Sequence, residues 1–304
     1  MRRPTEPQAQ LVREAIAASV APLTIGFIGS GRAAAAIGRG LAKAGHDIVL
    51  ARRGEGTEAL AATLDARLVD RREVLTSADV TFLAVPDAVV PVLASELAAE
   101  VADGEGRAVA HLAGSLGRSA LAPLAARGYR AVAIHPLQVL SGWRIAAGTG
   151  FAVDAAPDAI ELAARLVSDL GGIQFAVPER SRAAYHAAAV IAANLGMTML
   201  AEAVDLLEGQ GIERSEAMQG LAALVRGGLE AAMDRGLPGA LTGPVARGDL
   251  ATVAGHLDAL AGDPELLRAY ARGSLLTLRQ AERDGRPANP ATIVAMRRLL
   301  EDAI

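Results

Sequence analysis

The sequence predicts a doubly wound, mostly parallel α/β sheet followed by an all-α region. Three observations predict it. Short β-branched runs alternate with Ala- and Leu-rich helical stretches from Pro22 to about Val177. A glycine-rich turn joins the first of these runs to the first helical stretch. The strand signals stop after Pro178, and only helical segments broken by Gly and Pro follow.

Taken in order, residues 1–20 hold three arginines but no unbroken apolar stretch, because Glu6, Arg13 and Glu14 interrupt it. No targeting segment is read there; residues 7–20 predict an amphipathic N-terminal extension through Leu11, Ala15 and Ile16. Strands are expected at 23–28, 47–51, 80–85, 107–113, 130–135, 150–154 and 173–177, with helices between them such as 33–44 and 157–170. The runs are nearly continuously apolar, as in parallel strands covered on both faces by crossover helices. Residues 180–208 read as one long helix, and 213–235, 249–261, 263–283 and 288–303 as further helices. The expected domains are the extension 1–20, a nucleotide-binding domain 21–178 and a helical domain 179–304.

Composition narrows the function. Hydrophobic residues make up 52% of the 304, enough for a sizeable core, while aromatics at 3% cannot supply a base-stacking platform. A net charge of −4 gives no electrostatic case for nucleic acid or an anionic membrane. The absence of cysteine removes disulfides, thiolate metal sites and a cysteine nucleophile, and fits the cytoplasm. The apolar stretch 183–204 carries His186, Asn194 and Glu202, so it reads as a buried helix of a soluble bundle rather than a membrane span.

The first strand runs into Gly29-Ser30-Gly31-Arg32-Ala33-Ala34 and then a helix. This is G-x-G-x-x-A between strand and helix, the Rossmann-type dinucleotide turn. Gly29 allows the tight turn, Gly31 the close approach of a pyrophosphate, and Ala34 the packing of helix on strand. The helix N-terminus offers N–H groups to the anion. The second strand ends Ala51-Arg52-Arg53-Gly54, with no carboxylate for a ribose 2′-hydroxyl and two guanidiniums suited to a phosphate. NADP(H) is therefore expected, with Arg52 nearer the strand than Arg53. Val85 and Pro86 are placed on the path to the nicotinamide ribose, and Ala113, Gly114 and Ser115 beside the nicotinamide. Asp87 is read as a helix cap.

With these residues the chain resembles the family of Rossmann-like proteins with a DUF2520 C-terminal domain. That family is similar in architecture to pyrroline-5-carboxylate reductases, and more distantly to prephenate and β-hydroxyacid dehydrogenases. The stretches that carry the resemblance are FIGSGRAAAAIG (27–38), HLAGSLGRSAL (111–121), IHPLQ (134–138), YHAAAVIAANL (185–195) and LTGPVARGD (241–249). The resemblance implies an NADP-linked oxidoreductase with a helical, dimer-forming second domain. Helix 180–208 holds no lysine, so the catalytic lysine of β-hydroxyacid dehydrogenases has no counterpart.

The candidate chemistry lies on that helix and in the turn 241–249. His186 and Asn194 are eight residues apart, about 80° around an α-helix, and so share a broad face. His186 is placed as proton donor and Asn194 as a group orienting a carbonyl, an imine or the nicotinamide amide; both also fit interhelical hydrogen bonds. Ser115 is a second candidate donor. Thr242 and Arg247 are expected to contact substrate, the arginine gripping a carboxylate, with Asp249 as a helix cap. His135-Pro136 resembles a pair in prephenate dehydrogenases and sits on the same sheet edge. His111 reads as a core histidine, and His46 and His256 as surface residues. No metal is expected.

The expected function is hydride transfer between NADP(H) and a C=N or C=O carbon of a small, carboxylate-bearing substrate in an interdomain cleft, by a homodimer joined through its C-terminal helices. The rivals are a dehydrogenase on a cyclohexadienyl or hydroxyacid substrate, and an NADP(H) sensor without turnover.

Overall fold

A computed structural model describes residues 21–52, 56–140, 143–286 and 289–304. The extension expected over 7–20, together with Arg53, lies outside the described residues. Eight strands form one sheet: β1 (Thr24–Ile28), β2 (Asp47–Ala51), β3 (Arg67–Val69), β4 (Val80–Leu83), β5 (Ala108–His111), β6 (Arg130–Pro136), β7 (Gly150–Ala155) and β8 (Ile173–Ala176). Their order is β3-β2-β1-β4-β5-β6-β7-β8. All neighbours are parallel except β6 and β7, which run antiparallel.

The interleaved helices are α1 (Arg32–Lys43), α2 (Thr57–Leu64), α3 (Arg71–Ser77), α4 (Val90–Glu100), α5 (Ala122–Ala125) and α6 (Ile160–Asp169). Strand side chains alternate between two cores, as the two-residue pleat requires. Ile25, Phe27, Leu50, Phe82 and Ile134 join one buried cluster with Ala34, Ile37 and Leu41 of α1 and Leu166 of α6. Ile28, Val49, Leu83 and Val109 join the other, with Val74 of α3 and Leu93 and Leu97 of α4. The chain leaves β3 at one edge and re-enters at β4, beside β1. Strand order thus reverses between β1 and β4, and the crevice at their carboxyl ends is where such sheets hold ligands.

Two elements depart from the expectation. β3 was not expected: Arg-Leu-Val is too short to show alternation and sits at the sheet edge. His46, expected on the surface, is buried at 7% exposure between α1 and β2. Its Nδ1 accepts from the Leu23 N–H at 3.0 Å, and its Nε2 meets Asp169 at 2.9 Å.

The chain divides into two compact units, the first ending at Asn194 and the second spanning Leu195–Ile304. Strand signals end at Pro178, but the segment after it remains with the sheet. Arg182, 1% exposed, donates to the carbonyls of Val177 (3.2 Å), Ala133 (3.1 Å) and Ala152 (3.4 Å). The expected helix 180–208 consists of α7 (Arg182–Val190), a π-helical turn at Ile191–Leu195 and α8 (Gly196–Glu208). Within this single chain it is not the buried helix expected: Ile191, Leu195 and Met197 are more than half exposed. Among the described residues, Glu179–Glu208 is also the helix long and apolar enough to cross a membrane.

The second unit continues with α9 (Arg214–Ala240), kinked at Gly236, α10 (Pro244–Arg247), α11 (Leu250–Ala259), α12 (Pro264–Arg283) and α13 (Pro290–Glu301). Val253, Leu257, Leu278, Met296 and Leu300 form its core. Only Ala217 of α9 is buried, and Leu224, Leu229, Met233 and Leu237 face outward.

Candidate active site

The β1–α1 turn builds one end of the site. Gly29 has φ +115°, and a Cβ there would stand 2.2 Å from the Ala84 carbonyl oxygen. Only glycine fits between these two backbones. Gly31 differs: its φ of −74° suits any residue, and a Cβ would meet nothing within 4 Å. It is the N-cap of α1, whose first turn carries no side-chain cap and no acidic residue. The N–H groups of that first turn, which have no carbonyl partner within the helix, therefore stand beside open space at the switch point, a fit for a phosphate-bearing ligand. Thr57 Oγ1 donates to Ser30 Oγ at 3.1 Å; Arg32 is exposed, Ala33 half-buried and Ala34 fully buried.

A cavity of about 300 Å³ adjoins the turn, lined by Gly29, Ala51, Arg71, Val85, Val89 and Glu96 among others. A second of about 300 Å³ is lined by Ala51, Arg52, Asp70 and Arg71. Arg52 is exposed and donates from Nη2 to the Leu68 carbonyl at 2.9 Å. Arg71 lines both cavities and pairs with Glu96 at 3.0 Å and with Glu100. Sequence reasoning missed Arg71 because it missed β3, which delivers it. Pro86 is exposed and does not line either cavity.

The other end of the site gathers at the carboxyl ends of β5 and β6. Ala113 and Gly114 are buried and Ser115 exposed. Ser115 Oγ donates to Asp87 at 2.8 Å, so Asp87 serves this pair and is not the helix cap expected of it. His111 is fully buried and satisfied: Nδ1 accepts from the Ala113 N–H, and Nε2 meets the Gly117 carbonyl at 3.0 Å. Burial lowers its pKa, and so the ring is neutral.

His135 lies at the end of β6, with Nδ1 2.7 Å from the Tyr185 hydroxyl. The His186 ring stands edge-on to it, centroids 6.0 Å apart. Burial, with added repulsion from His186 and Arg182, pulls the His135 pKa down to about 4. Burial likewise raises that of Tyr185 and keeps it protonated. The two imidazoles close on Gly114: a Cβ there would stand 2.6 Å from His186 Nδ1 and 2.9 Å from His135 Nε2. The buried His186 Nδ1 has no hydrogen-bond partner among the described residues. Tyr185 was missed by sequence reasoning, since its partner lies 50 residues away.

His186 and Asn194 line one cavity of about 570 Å³, together with His135, Gln138, Tyr185 and several apolar residues. The sequence put both on one face of a regular helix. The π turn changes that phase, yet both still reach the cavity. Thr242 and Arg247 belong to the second unit, where both are exposed; Asp249 caps α11 by accepting from the Thr252 N–H at 3.1 Å. His256 is exposed and bonds the Tyr270 hydroxyl. Among the described residues no group of three or more His, Asp or Glu is placed to hold a metal.

Two family models match the chain. The Rossmann-like domain matches residues 10–136, and the domain of unknown function DUF2520 matches residues 149–277. The chain pairs a Rossmann-like domain with a DUF2520 domain. No curated protein matches the sequence. Among solved structures, a Bacteroides fragilis protein described as an NADP oxidoreductase is 22% identical with TM-score 0.66, over 86% of this chain and 99% of that one. Pyrroline-5-carboxylate reductase of Coxiella burnetii is 18% identical with TM-score 0.61, over 86% and 98%. A reductive aminase of Aspergillus terreus, in complex with NADPH and ethyl-5-oxohexanoate, is 14% identical with TM-score 0.58, over 93% and 94%. At these identities the likeness establishes the fold. The glycine turn and Arg52 fall inside the Rossmann-like match, and His186, Asn194, Thr242 and Arg247 inside the DUF2520 match.

Proposed function

We propose that the protein is an NADP(H)-dependent oxidoreductase acting on a C=N or C=O carbon of a small substrate. The observation that carries this reading is the uncapped N-terminus of α1 beside the open space at Gly31, at the switch point of the sheet. Gly29, Ser30, Gly31, Arg32 and Ala33 would hold the pyrophosphate, Arg52 with Arg53 the adenosine phosphate, and Val85, Pro86, Ala113 and Gly114 the nicotinamide half. When bound, the coenzyme supplies or accepts a hydride. The NADP-linked names of the structural neighbours support the coenzyme and the reaction class.

The protein's own residues supply position and a proton. His186 Nδ1, buried and unpartnered, is the proposed proton donor to the reacting heteroatom, with Ser115 as the alternative donor. Asn194 orients the group being reduced. Thr242 and Arg247 are proposed substrate contacts; the expected carboxylate on the substrate rests on Arg247 alone. The outward apolar residues of α8 and α9, such as Met197, Leu224, Leu229 and Met233, support a homodimer through these helices, in the cytoplasm.

Calorimetric titration with NADPH and NADH tests the reading. NADPH should bind at least about tenfold more tightly than NADH, and Arg52→Ala should erase most of that difference. Failure of the native protein to bind either coenzyme refutes it.

A further inference from the structure

Asp87 and Ser115 stand beyond the carboxyl ends of two neighbouring parallel strands, β4 and β5. Their side chains meet at 2.8 Å. A carboxylate oxygen only accepts hydrogen bonds, and a serine hydroxyl has a single proton to give. Ser115 spends that proton on Asp87 and has only lone pairs left for a ligand. Paired in this way, it is an acceptor and not a donor.

The backbone around Ser115 is pinned on both sides. The buried His111 ring accepts from the Ala113 N–H at 3.2 Å and meets the Gly117 carbonyl at 3.0 Å. Gly114 is wedged against His135 and His186. Ser115 itself is exposed and Asp87 half-buried. The Asp87 charge is felt at His111 and His135, where it raises both pKa values against the effect of burial. The pair thus belongs to the same corner of the site as the imidazoles.

Arg52 follows β2 at the other end of the site. The order β2-β1-β4-β5 sets the two ends three strand spacings apart, roughly 14 Å at about 4.8 Å each. That is the reach of an extended dinucleotide crossing the β1–α1 turn, with its adenosine phosphate at Arg52 and its nicotinamide end by Ser115. The polar group on that ring is a carboxamide, with N–H donors and one acceptor oxygen.

We propose that the Ser115 hydroxyl, fixed as an acceptor by Asp87, recognises the N–H of the nicotinamide carboxamide, and that Asp87 is a positioning residue for the coenzyme. This rests on the oxidoreductase reading, and it removes Ser115 from the proton donors to the reacting heteroatom.

The test is calorimetric titration with NADP⁺ and with its 3-acetylpyridine analogue. The analogue keeps the ring charge and the carbonyl but carries a methyl group where the carboxamide has its NH₂. An acceptor at Ser115 loses its partner there, so NADP⁺ should bind about tenfold more tightly. A donor at Ser115 would bond the carbonyl of either and show no preference. Asp87→Ala frees the hydroxyl proton, and Ser115→Ala removes the hydroxyl. In each variant the preference should shrink to about twofold or less. Adenosine 2′,5′-bisphosphate, which lacks the nicotinamide half, should bind the native protein and both variants alike. Equal affinity of the native protein for NADP⁺ and the analogue overturns the proposal, as does an undiminished preference in Asp87→Ala. If Asp87→Ala also loses the bisphosphate, the role of Asp87 is structural and the proposal fails. A native protein that binds neither NADP⁺ nor the bisphosphate removes the parent reading, whereas one that binds both without discriminating against the analogue removes only this one.

Discussion

Gly29 and Gly31 look alike in the motif but carry different loads, and alanine at each separates folding from binding. At Gly29 an alanine would hold φ +115°, a conformation costing about 1–3 kcal/mol for a residue with a Cβ. Its Cβ would also stand 2.2 Å from the Ala84 carbonyl oxygen, and a backbone group cannot swing aside. Overpacking of this kind adds about 1–3 kcal/mol, so Gly29→Ala should lose about 3–5 kcal/mol of a total of roughly 5–15. At Gly31 an alanine meets nothing within 4 Å and keeps an ordinary backbone conformation. Restricting the unfolded chain contributes about 0.4–1 kcal/mol, and alanine as N-cap costs a similar amount, leaving stability within ~1 kcal/mol. The new methyl group would occupy the space beside the first-turn N–H groups of α1, and NADPH affinity should fall at least about tenfold. Urea denaturation and NADPH titration of the two variants give both numbers. A Gly31→Ala protein that binds NADPH like its parent, or unfolds as readily as Gly29→Ala, refutes the reasoning.

Two further outcomes follow from the buried groups behind the site. His135 titrates near 4 when folded and near 6.5 when unfolded, so below pH 6.5 the unfolded chain takes up a proton that the folded chain refuses. Stability should therefore fall from pH 6.5 to 4 by up to ~3 kcal/mol from this group and level off below. His135→Gln should flatten the urea midpoint against pH in part, since the lowered pKa of His111 acts in the same direction and remains; an unchanged slope would contradict the assignment. Arg182→Ala removes the side chain that ties Val177, Ala133 and Ala152 together and should destabilise by about 3–5 kcal/mol. Arg182→Met, which keeps the apolar stem, should lose less and raise the His135 pKa by removing a neighbouring positive charge. A fully stable Arg182→Ala protein would show that these bonds contribute little.

Local chemistry made much of the fold legible. Seven of the eight strands, the glycine turn and the Asp249 cap follow from patterns a few residues long: apolar runs, turn residues and side chains that bond nearby backbone. β3 escaped because three residues at a sheet edge carry no period, and Arg71 escaped with it. The antiparallel β6–β7 pair also left no trace, since an apolar strand reads the same in either direction.

The site was legible only in part. The sequence singled out His135, His186 and Asn194 by residue type and placed the first at a strand end. The tertiary structure decided that His135 meets Tyr185, that His46 is buried against Asp169, and that Asp87 faces Ser115 and does not cap a helix. Each of these contacts joins residues 28 to 123 positions apart. Partner choice over such separations is set by which strand ends the sheet order brings together and by which polar atoms burial leaves to be satisfied. Neither quantity exists in a short window of sequence, because both belong to the packed sheet as a whole.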